Sequence, residues 1–249
     1  MRRYKKIAFI PDIHVPYQDD KAVSVARQFI RHYKPNTVIF LGDVLYMYGL
    51  ARFDNKDPKR IGHLNEEIEQ AFYLLRDFRE DAPNADFFFI QGNHEYRLKK
   101  YIRNNAPELH NLPGLDLATM LNLDHLQIEY VESGRMEYNG ILVKHGDKVR
   151  ARSGYTATGE LESVGLSGIS GHTHRLGQIY KTNRSGMFTW IEAGCLCDMQ
   201  PEWVEGRVMD WQHGLAYGTY TPDKDKRFEI HTLPIINNKI LFEGVEIKA

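Results

Sequence analysis

Long apolar runs are missing from this chain of 249 residues: no window approaches eighteen consecutive apolar positions, so no membrane-spanning helix is expected. The opening "MRRYKKIAFI" starts with basic residues, but its apolar run ends at Pro11, too short for the core of a secretory leader. Cysteine is scarce. Only Cys195 and Cys197 occur, in "AGCLCD", and neighbours this close on one side of a strand rarely form an unstrained disulfide. They are expected to be reduced thiols in a cytoplasmic protein, and no further cysteine exists to complete a sulfur-rich metal site. Surplus charge is lacking as well. A formal net charge of -1 argues against a generic polyanion binder, though not against a local basic patch. With no internal repeat, low-complexity tract or linker, one domain over residues 1–249 is expected.

The first half of the chain alternates between two periods. "KIAFI", "NTVIFLGD" and "ADFFFIQGN" are short apolar runs of the buried-strand type. Between them, "DKAVSVARQFIRHY" repeats Ala22, Val25, Ala26, Phe29 and Ile30 at helical spacing, and "LNEEIEQAFYLLRDFRED" does the same with Ile68, Phe72, Leu75 and Phe78 before stopping at Pro83. This order predicts parallel strands with right-handed crossovers. The second half reads as short strands with polar turns, the signature of antiparallel or mixed sheet. The expected fold class is therefore α/β with α+β character: two mixed sheets packed face to face, with helices outside. The strand-rich C-terminal region, with "KILFEG", is expected either to pair or to close the second sheet.

The strand ends carry the chemistry. "FIPDIH" ends in Asp12 and His14, "IFLGD" in Asp43, and "FFIQGNHE" in Asn93 and His94. "ILVKHGD" delivers His145, and "GISGHTH" delivers His172 and His174. Each alone reads as a turn or loop residue. Together they are expected to converge, because ligands of parallel sheets bind beyond the carboxyl ends of the strands. Two histidines at i and i+2 on extended backbone share a face and can chelate. Imidazole and carboxylate donors suit divalent Mn, Fe or Zn. A shared carboxylate would offset the repulsion between two cations, the arrangement that clamps both oxygens of a phosphoryl displacement.

These motifs, in this order and on this strand pattern, resemble the calcineurin-like metallophosphoesterase superfamily. The wider run, with "PDIHVPY", "GNHEYRL", "WIEAGCLCD" and "WQHG", also resembles phosphoesterases of phage and prophage genomes. The resemblance implies that Asp12, His14 and His174 hold a first metal and Asn93, His145 and His172 a second. Asp43 would bridge both together with a water or hydroxide, which would attack phosphorus in line. It implies Mn²⁺, with Fe or Zn²⁺ as alternatives. His94 would stabilise the transition state or protonate the leaving oxygen, and Glu95 would orient it or serve a helix N-terminus.

One departure stands out. The second motif reads "GDVLYMYG", so Tyr46 occupies a position where an aspartate is common in the family, and the arginine that phosphoprotein phosphatases offer to phosphate is missing. Arg97, Arg150, Arg152 or Arg175 could replace it. Basic segments with interleaved tyrosines ("EYRLKKYIRNN", "HGDKVRARSGY"; Tyr46, Tyr48, Tyr96, Tyr101 and Tyr155) suit nucleotides or single strands. The expected activity is hydrolysis of phosphodiesters in nucleotides or nucleic acid. Phosphomonoester hydrolysis is the alternative, and a binding module with a retired site the lesser one.

Overall fold

The computed structural model describes residues 4–51, 63–201, 204–223 and 226–249. The basic start at Arg2 and Arg3 lies outside them. The expected alternation forms β1 (Lys5–Ile10), α1 (Asp20–Tyr33), β2 (Thr37–Phe40), α2 (Leu64–Asp81) and β3 (Asp86–Ile90). α1 starts where the Asp19 carboxylate accepts the Ala22 N–H at 2.8 Å, and ends at left-handed Lys34, just before Pro35. Its buried face includes Ala22, Val25, Ala26, Phe29 and Ile30, as the spacing predicts. On its outer side Arg27 meets Asp77 at 2.6 Å and Asp81 at 2.7 Å, lacing α1 to α2.

Two shorter helices follow, α3 (Tyr96–Asn105) and α4 (Leu117–Met120), and then β4 (Ile128–Val131). β4 pairs in parallel with β3, completing the parallel run β1-β2-β3-β4. The inner strand β2 is buried along its whole length and β1 along its last four residues, which explains their apolar runs, while the edge strand β4 keeps Glu129 exposed. The second sheet is built from β5 (Arg135–Tyr138), β6 (Ile141–Lys144), β7 (Gly168–Ser170), β8 (Leu176–Asn183) and β9 (Gly186–Ala193), in the order β5-β6-β7-β9-β8. α5 (Tyr155–Val164) connects β6 to β7.

Alternation along β1 divides the core. Ile7 and Phe9 point toward the second sheet and pack with Ile39, Leu41, Ile141, Val143 and Ile169. Ala8 and Ile10 face the helices and join Phe29, Ile30, Leu75 and Phe78. On the far side of the second sheet, Trp190 packs with Ala157 and Leu161 of α5. The result is helix, sheet, sheet, helix: the expected mixed sandwich.

The late strands do not close the second sheet, one of the two alternatives the sequence left open. β10 (Gly214–Tyr220) pairs antiparallel with β1, and β11 (Phe228–Pro234) with β10, so both widen the first sheet to β11-β10-β1-β2-β3-β4. β12 (Lys239–Phe242) and β13 (Val245–Lys248) form their own hairpin instead of closing the second sheet. That hairpin seals α1, with the Phe242 ring 5.1 Å from that of Phe29.

Candidate metal centre

Short loops at the strand ends carry the polar residues, and their backbone is unusual. Asp12, His14, Asp43, His172 and His174 all have positive φ, between 34° and 69°. Side chains other than glycine seldom adopt this region, Asp and His more readily than most, and such strain gathers where function dictates geometry. The surrounding hydrogen bonds hold it. The Asp43 carbonyl accepts from the N–H groups of Ile13 (3.0 Å) and His14 (2.9 Å), tying the loop after β1 to the loop after β2. The Asp12 carboxylate accepts the His172 N–H at 2.9 and 3.0 Å, tying it to the loop after β7.

The side chains converge in two groups about Asp43. In one, the Nε2 atoms of His14 and His174 approach to 3.0 Å, with Asp12 Oδ1 3.5 Å from His174 Nε2 and 4.0 Å from His14 Nε2. In the other, His145 Nε2 lies 2.9 Å from Asn93 Oδ1 and 3.2 Å from His172 Nδ1. Asp43 Oδ2 stands 3.9 Å from His14 Nε2 and 3.3 Å from His145 Nε2, between the two groups. All seven residues singled out as metal donors in the sequence are therefore brought together.

The donor set fits divalent cations. Pairs of imidazole nitrogens face each other at close range across two buried carboxylates, and His14 Nδ1 is buried without a hydrogen-bond partner. His145 Nδ1 lies 2.8 Å from the Leu41 carbonyl, which only a protonated nitrogen can satisfy, so Nε2 is left to face the other donors. Burial opposes the charge on Asp43, but the histidines around it, His145 first, hold its carboxyl well below the usual carboxylate range. Burial and the like charges of His94 and His174 push His14 well below the usual imidazole range.

Close backbone approach is needed at two glycines. A Cβ at Gly92 would lie 2.2 Å from Asp43 Oδ1, and one at Gly171 would lie 2.4 Å from Asp12 Oδ2.

His94 sits apart from the donor pairs. Its N–H donates to Asp43 Oδ1 at 2.9 Å, and its Nδ1 donates to the Tyr46 carbonyl at 2.8 Å. Its Nε2 lies 3.7 Å from Asp43 Oδ2 and accepts from Arg97 Nη2 at 3.0 Å. Burial, with Arg97 adding to it, lowers the His94 imidazole to about 4. Glu95 does not orient His94. It is buried beneath the site and accepts the N–H groups of Gly92 (2.8 Å), Asp43 (2.9 Å) and Leu45 (3.0 Å), binding the second motif to the third.

A cleft of about 240 Å³ opens over these groups. Tyr46 and Arg97 line it, as does Tyr17, whose ring centroid is 4.9 Å from that of Tyr46. Arg97 also donates to the Tyr46 carbonyl at 2.6 Å. The other arginines lie elsewhere. Arg150 packs over α5, where a Cβ on Gly159 would meet its Cζ at 2.4 Å. Arg175 Nε donates to the Asp210 carbonyl at 2.9 Å and pairs with the Asp210 carboxylate at 3.2 Å, and Arg152 is exposed. Tyr96, Tyr101 and Tyr155 are exposed on helices, and Lys99 pairs with Glu132 at 2.7 Å.

Sequence reasoning missed Cys197, Asp198 and Trp211, which line the cleft too. Cys197 Sγ lies 3.6 Å from His174 Nδ1, on the ring edge away from His14. The "AGCLCD" and "WQHG" patterns were the available signals, but nothing local tied them to His174.

A model of the calcineurin-like phosphoesterases matches residues 5–185 of this chain, the span that carries every donor of the cluster. The chain belongs to that family. It is thus a metal-dependent phosphoester hydrolase, and His/Asp clusters such as that of Asp43, His145 and His172 could hold its metal. The chain is similar to the Gene 54 protein of Mycobacterium phage L5, 24% identical, with 96% of this chain and 97% of that protein covered. Among solved structures it is similar to Vacuolar Protein Sorting 29 of Cryptosporidium parvum (14% identity, 99% of each chain, TM-score 0.48). A metallophosphoesterase of Sphaerobacter thermophilus is another (17% identity, 93% of this chain and 88% of that one, TM-score 0.43). Among the described residues, no helix is long and apolar enough to cross a membrane.

Proposed function

We propose that this chain hydrolyses phosphodiesters of nucleotides or nucleic acid at a two-metal centre in the cytoplasm. Asp12, His14 and His174 would hold a first divalent ion and Asn93, His145 and His172 a second, Asp43 would serve both, and Mn²⁺ is the ion this reading takes. The observation that carries the reading is the convergence of these seven donors around one buried carboxylate, Asp43 Oδ2, from five strand ends. Divalent ions held there would supply the acidity that ionises a water and the positive charge that offsets the phosphoryl group.

The rest belongs to the chain. Its Tyr46 bond fixes the His94 ring with Nε2 toward the cleft, next to the Arg97 guanidinium. The Arg97 guanidinium is the electropositive group of this wall, set where charge develops on the phosphoryl oxygens, and the neutral His94 ring, accepting from it at Nε2, holds it in place. Arg97 supplies the guanidinium that the second motif lacks. Tyr17 and Tyr46 give the cleft an aromatic wall, which favours an ester group with a flat ring over a phosphorylated side chain.

The test compares an aryl phosphodiester with the matching monoester, using metal-stripped protein restored with Mn²⁺ and a His94→Ala control. Preferred turnover of the diester that falls steeply in the variant supports the reading. Preference for the monoester moves it to a phosphatase, and full activity in His94→Ala removes His94 from the chemistry.

A further inference from the structure

Trp211 lies far from every motif that holds the donor cluster, yet its ring centroid is 4.5 Å from that of His174 and it lines the cleft. Its neighbours on both sides are pinned. Asp210 takes the Arg175 guanidinium through its carbonyl (2.9 Å) and its carboxylate (3.2 Å). Gln212 donates its N–H to the His174 carbonyl at 2.8 Å, accepts the Leu176 N–H on Oε1 at 3.1 Å, and accepts the Cys195 N–H on its carbonyl at 3.1 Å. Five hydrogen bonds and ion pairs thus fix the residues on either side of the half-buried Trp211 relative to the segment that holds and follows the "GHTH" ligands, and the indole itself packs on His174. Packing alone does not demand this, because the described core clusters close without Trp211. Tyr17 and Tyr46 line the same cleft.

We propose that Trp211 is a stacking platform for the nucleobase of the substrate, and that Arg175, through Asp210, is the residue that positions it. The inference deepens the nucleotide reading above and rests on it. A rigid indole gives a base a large apolar face at little entropic cost, and stacking on it tolerates any base. Arg175, considered as a phosphate contact from sequence, has its guanidinium committed to this clamp.

Calorimetric titration of the Mn²⁺-restored protein with AMP and with ribose 5-phosphate tests the platform apart from turnover. AMP should bind roughly tenfold tighter than ribose 5-phosphate. That ratio should fall towards one in Trp211→Leu, which keeps apolar bulk, and persist in Trp211→Phe, which keeps an aromatic face. Arg175→Gln should reduce the ratio in part. Equal binding of the two ligands by the unmodified protein, binding of neither, or equal weakening of both in Trp211→Leu would overturn the proposal. Turnover of the aryl diester is scored separately: a protein with the base preference but no diesterase activity keeps the platform and loses the diesterase reading.

Discussion

The His145 imidazole donates from Nδ1 to the Leu41 carbonyl at 2.8 Å, joining the loop after β6 to the end of β2. That bond settles which nitrogen faces Asp43 and Asn93. His145→Gln should lower bound metal from two equivalents to one, read by elemental analysis of dialysed protein. Two equivalents in the variant would remove His145 from the second site.

Glu95 offers a different lever, since its carboxylate accepts three backbone N–H groups and the amide of Gln can accept at only one oxygen. Glu95→Gln should destabilise the metal-free protein by roughly 2–3 kcal/mol in urea unfolding, because buried donors lose their acceptor. A change near zero would show that Glu95 does not brace the Asp43 loop.

At Gly92 the predicted effect is steric. With only 2.2 Å available between a new Cβ and Asp43 Oδ1, Gly92→Ala must displace the shared carboxylate. Turnover should drop by about 100-fold, the scale of an ångström-level misplacement. Near-normal kcat in a folded variant would sever the link between this close approach and catalysis.

Glu67 predicts a pH effect away from the donors. It is buried under the second motif, where it accepts the Met47 N–H, and burial pushes its carboxyl from an ordinary 4.5 up to about 7. The folded protein thus holds this proton more tightly than the unfolded chain. The contribution is complete below pH 4.5 and is lost as pH rises through 7. Glu67→Gln should gain stability relative to the parent across that window, by on the order of 3 kcal/mol in total. Parallel pH profiles of the two proteins would refute the assignment.

The convergence of the strand-end residues was legible because parallel strands bring their carboxyl ends together, while their roles as metal donors came from the family resemblance. Asp12, Asp43, Asn93, His145 and His172 could be joined in thought without knowing any register. The helices were legible from spacing alone. The return of β10 to β1 was not, since pairing Phe9 with Ala216 leaves no local mark in either segment. Nor was the role of Glu95, whose partners are backbone N–H groups that every residue but proline possesses. Arg150 and Arg175 show the same limit: closeness to a motif in sequence does not set the direction of a long side chain.

The antiparallel pairing of β10 with β1 has a consequence for synthesis. Asp12 and His14 follow directly on β1, and the last of the seven donors, His174, is translated forty residues before β10 begins at Gly214. A nascent chain therefore carries every donor while one edge of β1 still lacks its neighbour, an open strand that invites wrong pairing. A chain stopped after Ala193 would hold the whole motif set and lack β10, the strand that pairs with β1 on the edge away from β2.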